Sequence, residues 1–165
     1  MTEARSLDAR LHHPLPELPE ASVTLSEISS LRAAGVAAGI KASGRPDVAL
    51  LVADAPVACA GIFTQNLFPA APVVVSREHL RANGGMIRAV LVNSGNANAC
   101  TGERGLADAR EMCDRVAAAL GCRPDEVLVC STGVIGHALP MERVRAGIDL
   151  CLAALSSERE AGRRF

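Results

Sequence analysis

Ala89-Val90-Leu91-Val92-Asn93-Ser94-Gly95-Asn96-Ala97-Asn98-Ala99-Cys100-Thr101-Gly102 is a short apolar run that opens directly into a polar, glycine-containing loop. Consecutive apolar residues bounded by turn-forming ones read as a buried strand. A helical period follows. Leu106, Ala109, Met112, Val116 and Leu120 recur at spacings of 3, 3, 4 and 4, with Asp108, Arg110, Glu111, Asp114 and Arg115 between them. Gly121 ends this helix, because glycine adopts the left-handed conformation that closes a helix without steric cost. Glu126-Val127-Leu128-Val129-Cys130 is a further strand, and it too leads into a polar glycine loop, Ser131 to Gly136. A strand, a helix and a strand in this order, with more strands upstream, make the chain α/β.

Working outward, Gly35 to Lys41 is small, apolar and strand-like, and Asp47 to Val52 is a buried-type strand. Asp54-Ala55-Pro56 reads as a turn into a strand from Val57 to Phe63, an antiparallel pair. Pro72 to Val75 reads as another short strand. Pro140 suits the first turn of a last helix, in which Met141, Val144, Ile148, Cys151 and Leu155 share one face. Residues 1–22, rich in proline and scattered charge, are expected to be a flexible arm. Residues 23–155 then form one α/β domain, and 156–165 a charged, truncated tail.

Composition excludes several classes of function. Hydrophobic residues make up 49% of the 165 residues, which fits a buried sheet or a surface meant for a partner chain. Phe63, Phe68 and Phe165 are the only aromatic residues, so there is no stacking platform for bases. The net charge of −1 leaves no basic footprint, and a nucleic-acid partner is not expected. No apolar run is long enough to span a membrane. The polar stretch Met1 to Glu20 has no secretory core, so a cytoplasmic location is expected. The six cysteines form no Cys-x-x-Cys pair and lie at no ligand spacing with His, so reduced thiols are expected, with no metal site and no bound cofactor. Lys41 is the only lysine, and an isolated lysine of this kind is ordinarily a solvated charge.

The chemistry concentrates in the two loops, each at the C-terminal end of a strand, where α/β sheets present ligand-binding groups. In the first, Asn93, Ser94, Gly95, Asn96 and Asn98 are a dense set of donors and acceptors. They form either an active-site loop or a loop whose asparagines satisfy their own backbone. In the second, Ser131-Thr132-Gly133 aims a hydroxyl and a backbone N–H at one region, as an oxyanion hole requires. Ser131 could also be taken for a nucleophile, with His137 the nearest base in sequence. Cys59, Cys100 and Cys130 have no basic partner in view.

Together the two loops resemble the ornithine acetyltransferase family, whose bifunctional members also acetylate glutamate. The likeness runs through Gly35 to Lys41, Gly61 to Asn66, Ala70 to Val73, Val92 to Gly102, Gly105 to Ala109 and Ser131 to Gly136. The resemblance implies a layered α-β-β-α architecture, incomplete in this chain. It implies the N-terminal alpha chain of an enzyme that moves acetyl from N-acetylornithine to glutamate in arginine biosynthesis, with acetyl-CoA as a further candidate co-substrate. It implies Thr132 and Gly133 as the oxyanion hole. It also implies a nucleophilic Thr beyond Phe165, at the start of a beta chain cut from the same precursor, the two chains assembling as α2β2. The chain alone is then expected to be inactive. A non-catalytic fragment that only binds a beta chain, or a relative of the self-processing aminopeptidases, is the alternative reading.

Overall fold

The computed structural model describes Leu25 and residues 28–165. The arm expected at 1–22 lies outside the described residues. Four strands form one sheet in the order β1 (Leu31–Val36), β2 (Val48–Ala58), β3 (Met86–Asn96), β4 (Val127–Val134). The helices include α1 (Ala71–Ala82), α2 (Gly102–Leu120), α3 (Met141–Ala154) and α4 (Arg159–Arg164), with a 3-10 turn at Pro124–Glu126. β1, β2 and β3 pair antiparallel, whereas β3 and β4 are parallel, with α2 as the crossover between them. The mixed α/β class expected from the sequence is observed.

The core lies between one face of this sheet and α1, α2 and α3. Ala34, Leu50, Leu91 and Val129 are register partners across the four strands, and all are buried. They meet Met112 and Val116 of α2, Val144 and Ile148 of α3, and Val75 of α1 in one cluster. A core of small branched side chains allows close helix approach: a β-carbon on Gly147 would sit 2.7 Å from Val48 Cγ2. The expected helices α2 and α3 both form. Gly121 closes α2 at φ 65°, and Pro140 is the residue just before α3.

Elsewhere the structure corrects the reading. β2 passes straight through Asp54-Ala55-Pro56, with a register irregularity between Val52 and Val57. A bulge is where a strand tolerates proline, since no ladder N–H is needed there. The antiparallel partners of β2 are therefore β1 and β3, and Val57 to Phe63 supplies only the last two residues of β2. Gly35 to Lys41 is strand only as far as Val36. Pro72 to Val75 is not a strand but the first turn of α1, with Ala71, Pro72, Val75 and Ser76 buried at helical spacing. Three valines favour a strand by propensity, but burial of one helical face outweighs that preference.

The tail is also structured. Ser156 bridges to Ala33 of β1, and α4 lies against β1, where a β-carbon on Gly35 would collide with the Arg164 carbonyl.

α1 has a second task. β4 is an edge strand, and exposed edges invite mispairing. Ser76, His79 and Asn83 project from α1 at the spacing of one helix face. The Ser76 hydroxyl accepts from Val129 N–H at 2.9 Å and donates to Val129 C=O at 2.7 Å. His79 Nδ1 lies 2.8 Å from the Val127 carbonyl, and Asn83 Nδ2 donates to the Asp125 carbonyl. This cover stops at Val129, just before the Ser-Thr-Gly segment.

Candidate functional site

The two polar segments lie side by side. Parallel pairing sets Asn93 opposite Ser131, Ser94 opposite Thr132 and Gly95 opposite Gly133. Both segments belong to strands as far as Asn96 and Val134, so the expected loops are in large part sheet.

The three asparagines build this region rather than line it. Asn93 and Asn98 are fully buried and Asn96 is nearly so. Asn93 Nδ2 donates to the Asn96 carbonyl at 2.9 Å, and its Oδ1 accepts the Ser131 hydroxyl at 2.6 Å. Asn96 Nδ2 reaches the carbonyls of His137 and Ala138 at 3.1 and 3.0 Å, while its Oδ1 accepts Asn98 N–H at 2.8 Å. Asn98 Nδ2 donates to the Gly105 carbonyl at 2.9 Å, and its Oδ1 accepts the Thr101 hydroxyl at 2.7 Å. Each amide both donates and accepts inside the protein, as buried amides must. The network joins the end of β3, the start of α2 and the loop before α3. Asn98 itself takes a left-handed φ of 47°, a conformation asparagine tolerates.

This network also engages Ser131. Its hydroxyl donates to an amide oxygen, which is no base, and the described contacts include no Ser131–His137 pair. Cys130 next to it is exposed, and desolvation of its thiol raises the pKa, which disfavours the nucleophilic thiolate. Cys113 and Cys151 are pushed up to about 12 by burial in the core.

Thr132 and Gly133 are exposed, whereas Ser131 between Cys130 and Thr132 is half-buried. Side chains alternate along a strand, so with Ser131 turned to the helix-covered face, Thr132 faces the opposite side. Backbone groups alternate as well. Val127 and Val129 direct theirs outward to α1, whereas the Val134 carbonyl accepts Ala97 N–H from β3 at 2.9 Å. The regular alternation ends at Gly133, where the ladder shifts around Gly95 and Asn96 and the backbone leaves ordinary strand geometry. An exposed threonine and an exposed glycine are thus adjacent at the end of β4. The strand end is tight: a β-carbon on Gly133, at φ 131°, would lie 2.6 Å from Asn96 N and 2.8 Å from Gly95 Cα.

Gly95 is pressed from its other side by the loop between β1 and β2. A β-carbon there would lie 2.9 Å from Lys41 Cγ and 3.0 Å from Ile40 Cγ2. Asp47, buried, ties this loop down. Its carboxylate accepts Ala38 N–H at 2.7 Å and Lys41 N–H at 2.9 Å, and its carbonyl accepts Ser94 N–H at 2.8 Å. Sequence reasoning read Asp47 only as the first residue of a buried strand and gave its carboxylate no role, because its partners Ala38 and Lys41 are brought to it by the fold. A larger cavity of about 610 Å³, lined by residues that include Cys59, Phe63, Arg77 and Arg81, lies by the start of β3 and contains none of the residues above.

The sequence pattern of the ArgJ family matches residues 32–163. The chain belongs to that family. It is 51% identical over 139 residues to the arginine biosynthesis bifunctional protein ArgJ of Rhodopirellula baltica, covering 83% of this chain and 33% of the relative. With its Symbiobacterium thermophilum namesake it shares 56% over 128 residues, 76% of this chain and 31% of the relative. The chain thus spans about a third of the length of these curated ArgJ relatives. Among solved structures it resembles an ornithine acetyltransferase from Mycobacterium tuberculosis, solved with ornithine, at TM-score 0.81 and 44% identity, covering 86% of this chain and 75% of that one. It also resembles an ArgJ protein from Bacillus halodurans, at TM-score 0.80 and 35% identity, covering 87% and 73%. Family membership and the α/β layering expected from the two loops are both observed. No helix among the described residues is long and apolar enough to cross a membrane.

Proposed function

We propose that this chain is the N-terminal, alpha-chain portion of an acetyltransferase of arginine biosynthesis, and that it supplies the oxyanion hole for moving acetyl from N-acetylornithine to glutamate. The observation that carries this is the strand end at Thr132 and Gly133: an exposed threonine beside an exposed, tightly packed glycine, beyond the stretch of β4 that α1 covers. Membership of the ArgJ family supports the choice of reaction.

The chemistry follows from donors without a nucleophile. The attacking hydroxyl belongs to the N-terminal Thr of a beta chain cut from the same precursor, with which this chain assembles as α2β2 in the cytoplasm. That oxygen adds to the acetyl carbonyl, and the carbonyl oxygen becomes an oxyanion held by the Thr132 hydroxyl and Gly133 N–H. Collapse breaks the C–N bond, and ornithine leaves with a proton on its nitrogen. The glutamate amine then attacks the acyl-enzyme through a second oxyanion at the same place, and the Thr oxygen leaves. No bound cofactor or metal takes part, and acetyl-CoA is a candidate alternative acetyl donor. Fixed dipoles aimed where charge develops are worth most here, because they need no reorganisation during the reaction.

The test is acetyl transfer from N-acetylornithine to glutamate by the enzyme assembled from this chain and the rest of the family's length. Thr132→Val is expected to lower kcat by about 100- to 1,000-fold with KM little changed. The isolated chain is expected to show no turnover. Full activity in the Thr132→Val enzyme, or turnover by the isolated chain, overturns this assignment.

A further inference from the structure

Lys41 is the only lysine in the sequence, and it is held at the site by two separate devices. Its backbone is fixed through Asp47, which binds Lys41 N–H with its carboxylate and Ser94 N–H with its carbonyl. Its stem lies on Gly95, the register partner of Gly133, at a distance that only a missing β-carbon permits. The Lys41 stem therefore packs at the same strand end as Thr132 and Gly133, one strand away from them.

The charge itself has no structural explanation. Arg32, Arg110, Arg115, Arg123 and Arg145 all pair with carboxylates. Among the described residues the Lys41 ammonium has no recorded partner. The nearest carboxylate in this loop, Asp47, is occupied by the backbone N–H groups of Ala38 and Lys41. Arg143, reaching this loop from α3, is directed to the Gly39 carbonyl, and Arg45 of the loop itself is exposed. A methionine or leucine would cover Gly95 equally well. A cation with no recorded partner, on a stem packed beside the Thr132–Gly133 strand end, suits a negative charge that is present only during reaction.

We propose that Lys41 supplies the positive charge of the anion site formed by Thr132 and Gly133, and so stabilises the oxyanion of acyl transfer. This rests on the acetyltransferase reading.

Two experiments test it. A sole lysine gives a single side-chain signal in the ¹⁵N-lysine-labelled chain. Methylphosphonate, a tetrahedral anion shaped like the intermediate, should shift that signal saturably, and Thr132→Val should weaken its binding at least about fivefold. A shift that never saturates, or one unaffected by Thr132→Val, overturns the proposal.

In the assembled enzyme, Lys41→Met should lower kcat at least about tenfold with KM within about twofold, and Lys41→Arg should restore most of the loss. Unchanged kcat, or a rise in KM alone (the mark of a substrate carboxylate held in the ground state), overturns it. Where Lys41→Met fails to fold, Lys41→Gln takes its place. If Thr132→Val costs turnover and Lys41→Met does not, the Lys41 proposal alone fails. If Thr132→Val costs nothing, the acetyltransferase reading fails with it.

Discussion

Single residues in this chain divide into those occupied by the structure and those left available. Asn93, Asn96, Asn98 and Ser131 are engaged with one another and with the backbone, whereas Thr132 is exposed and its side chain has no recorded bond to any of them. Asp108 on α2 is a different case. It is buried, its Oδ2 has no hydrogen-bond partner, and Arg104 is only within 4.0 Å. Burial raises its pKa above the ordinary 3.8, and Arg104 offsets this only in part. The folded state therefore holds the proton more tightly than the unfolded chain. That contribution is complete below pH 3.8 and is lost as pH rises through the raised value. Asp108→Asn removes the charge and keeps the shape. It is expected to raise Tm at pH 7, with the advantage fading as pH falls toward 3.8, and a Tm-versus-pH series on both proteins checks this.

Among the elements, α1 is the one that sequence reading misplaced and on which the β4 edge depends. Its first turn looks like a strand because valines crowd it. What decides its conformation is that Ala71, Pro72, Val75 and Ser76 fall on one face and are buried together. Ser76 then meets both backbone groups of Val129. Ser76→Ala leaves a buried N–H and C=O unsatisfied, at a cost of about 1–3 kcal/mol in unfolding free energy measured by urea denaturation. α2 begins with its own constraint. A β-carbon on Gly105 would lie 2.7 Å from Thr101 Cβ and overlap the Thr101 hydroxyl and the Asn98 amide oxygen. Gly105→Ala is therefore expected to destabilise by about 1–3 kcal/mol and to disturb the Asn98 network, visible as faster amide exchange at Asn98.

At the scale of the molecule, helices cover one face of a four-stranded sheet, and α4 lies against β1 at its edge. The cysteines report on this organisation. Cys113 and Cys151 are buried with thiols pushed up to about 12, whereas Cys100 is exposed. Cys100 is expected to react with a disulfide reagent at once, and Cys113 and Cys151 only as fast as the whole fold opens. Stopped-flow thiol counting distinguishes these phases.

Much of this was legible without coordinates. α2 and α3 show in the apolar period, β3 and β4 in short apolar runs, and the family in two polar motifs, because each is written in neighbouring residues. Their partners are not local. Ser131 meets Asn93 across 38 residues, Ser76 meets Val129 across 53, and Lys41 reaches Gly95 only through the loop that Asp47 holds. The sequence by itself determined the α/β class, the periodic elements and the Ser-Thr-Gly segment as the place to look. Only the tertiary structure decided that the asparagines are framework, that Gly133 packs against Gly95 and that the Lys41 stem lies on Gly95. Strand parity and register depend on which distant strand pairs with which, and a shift of one residue would turn every one of these groups to the other side.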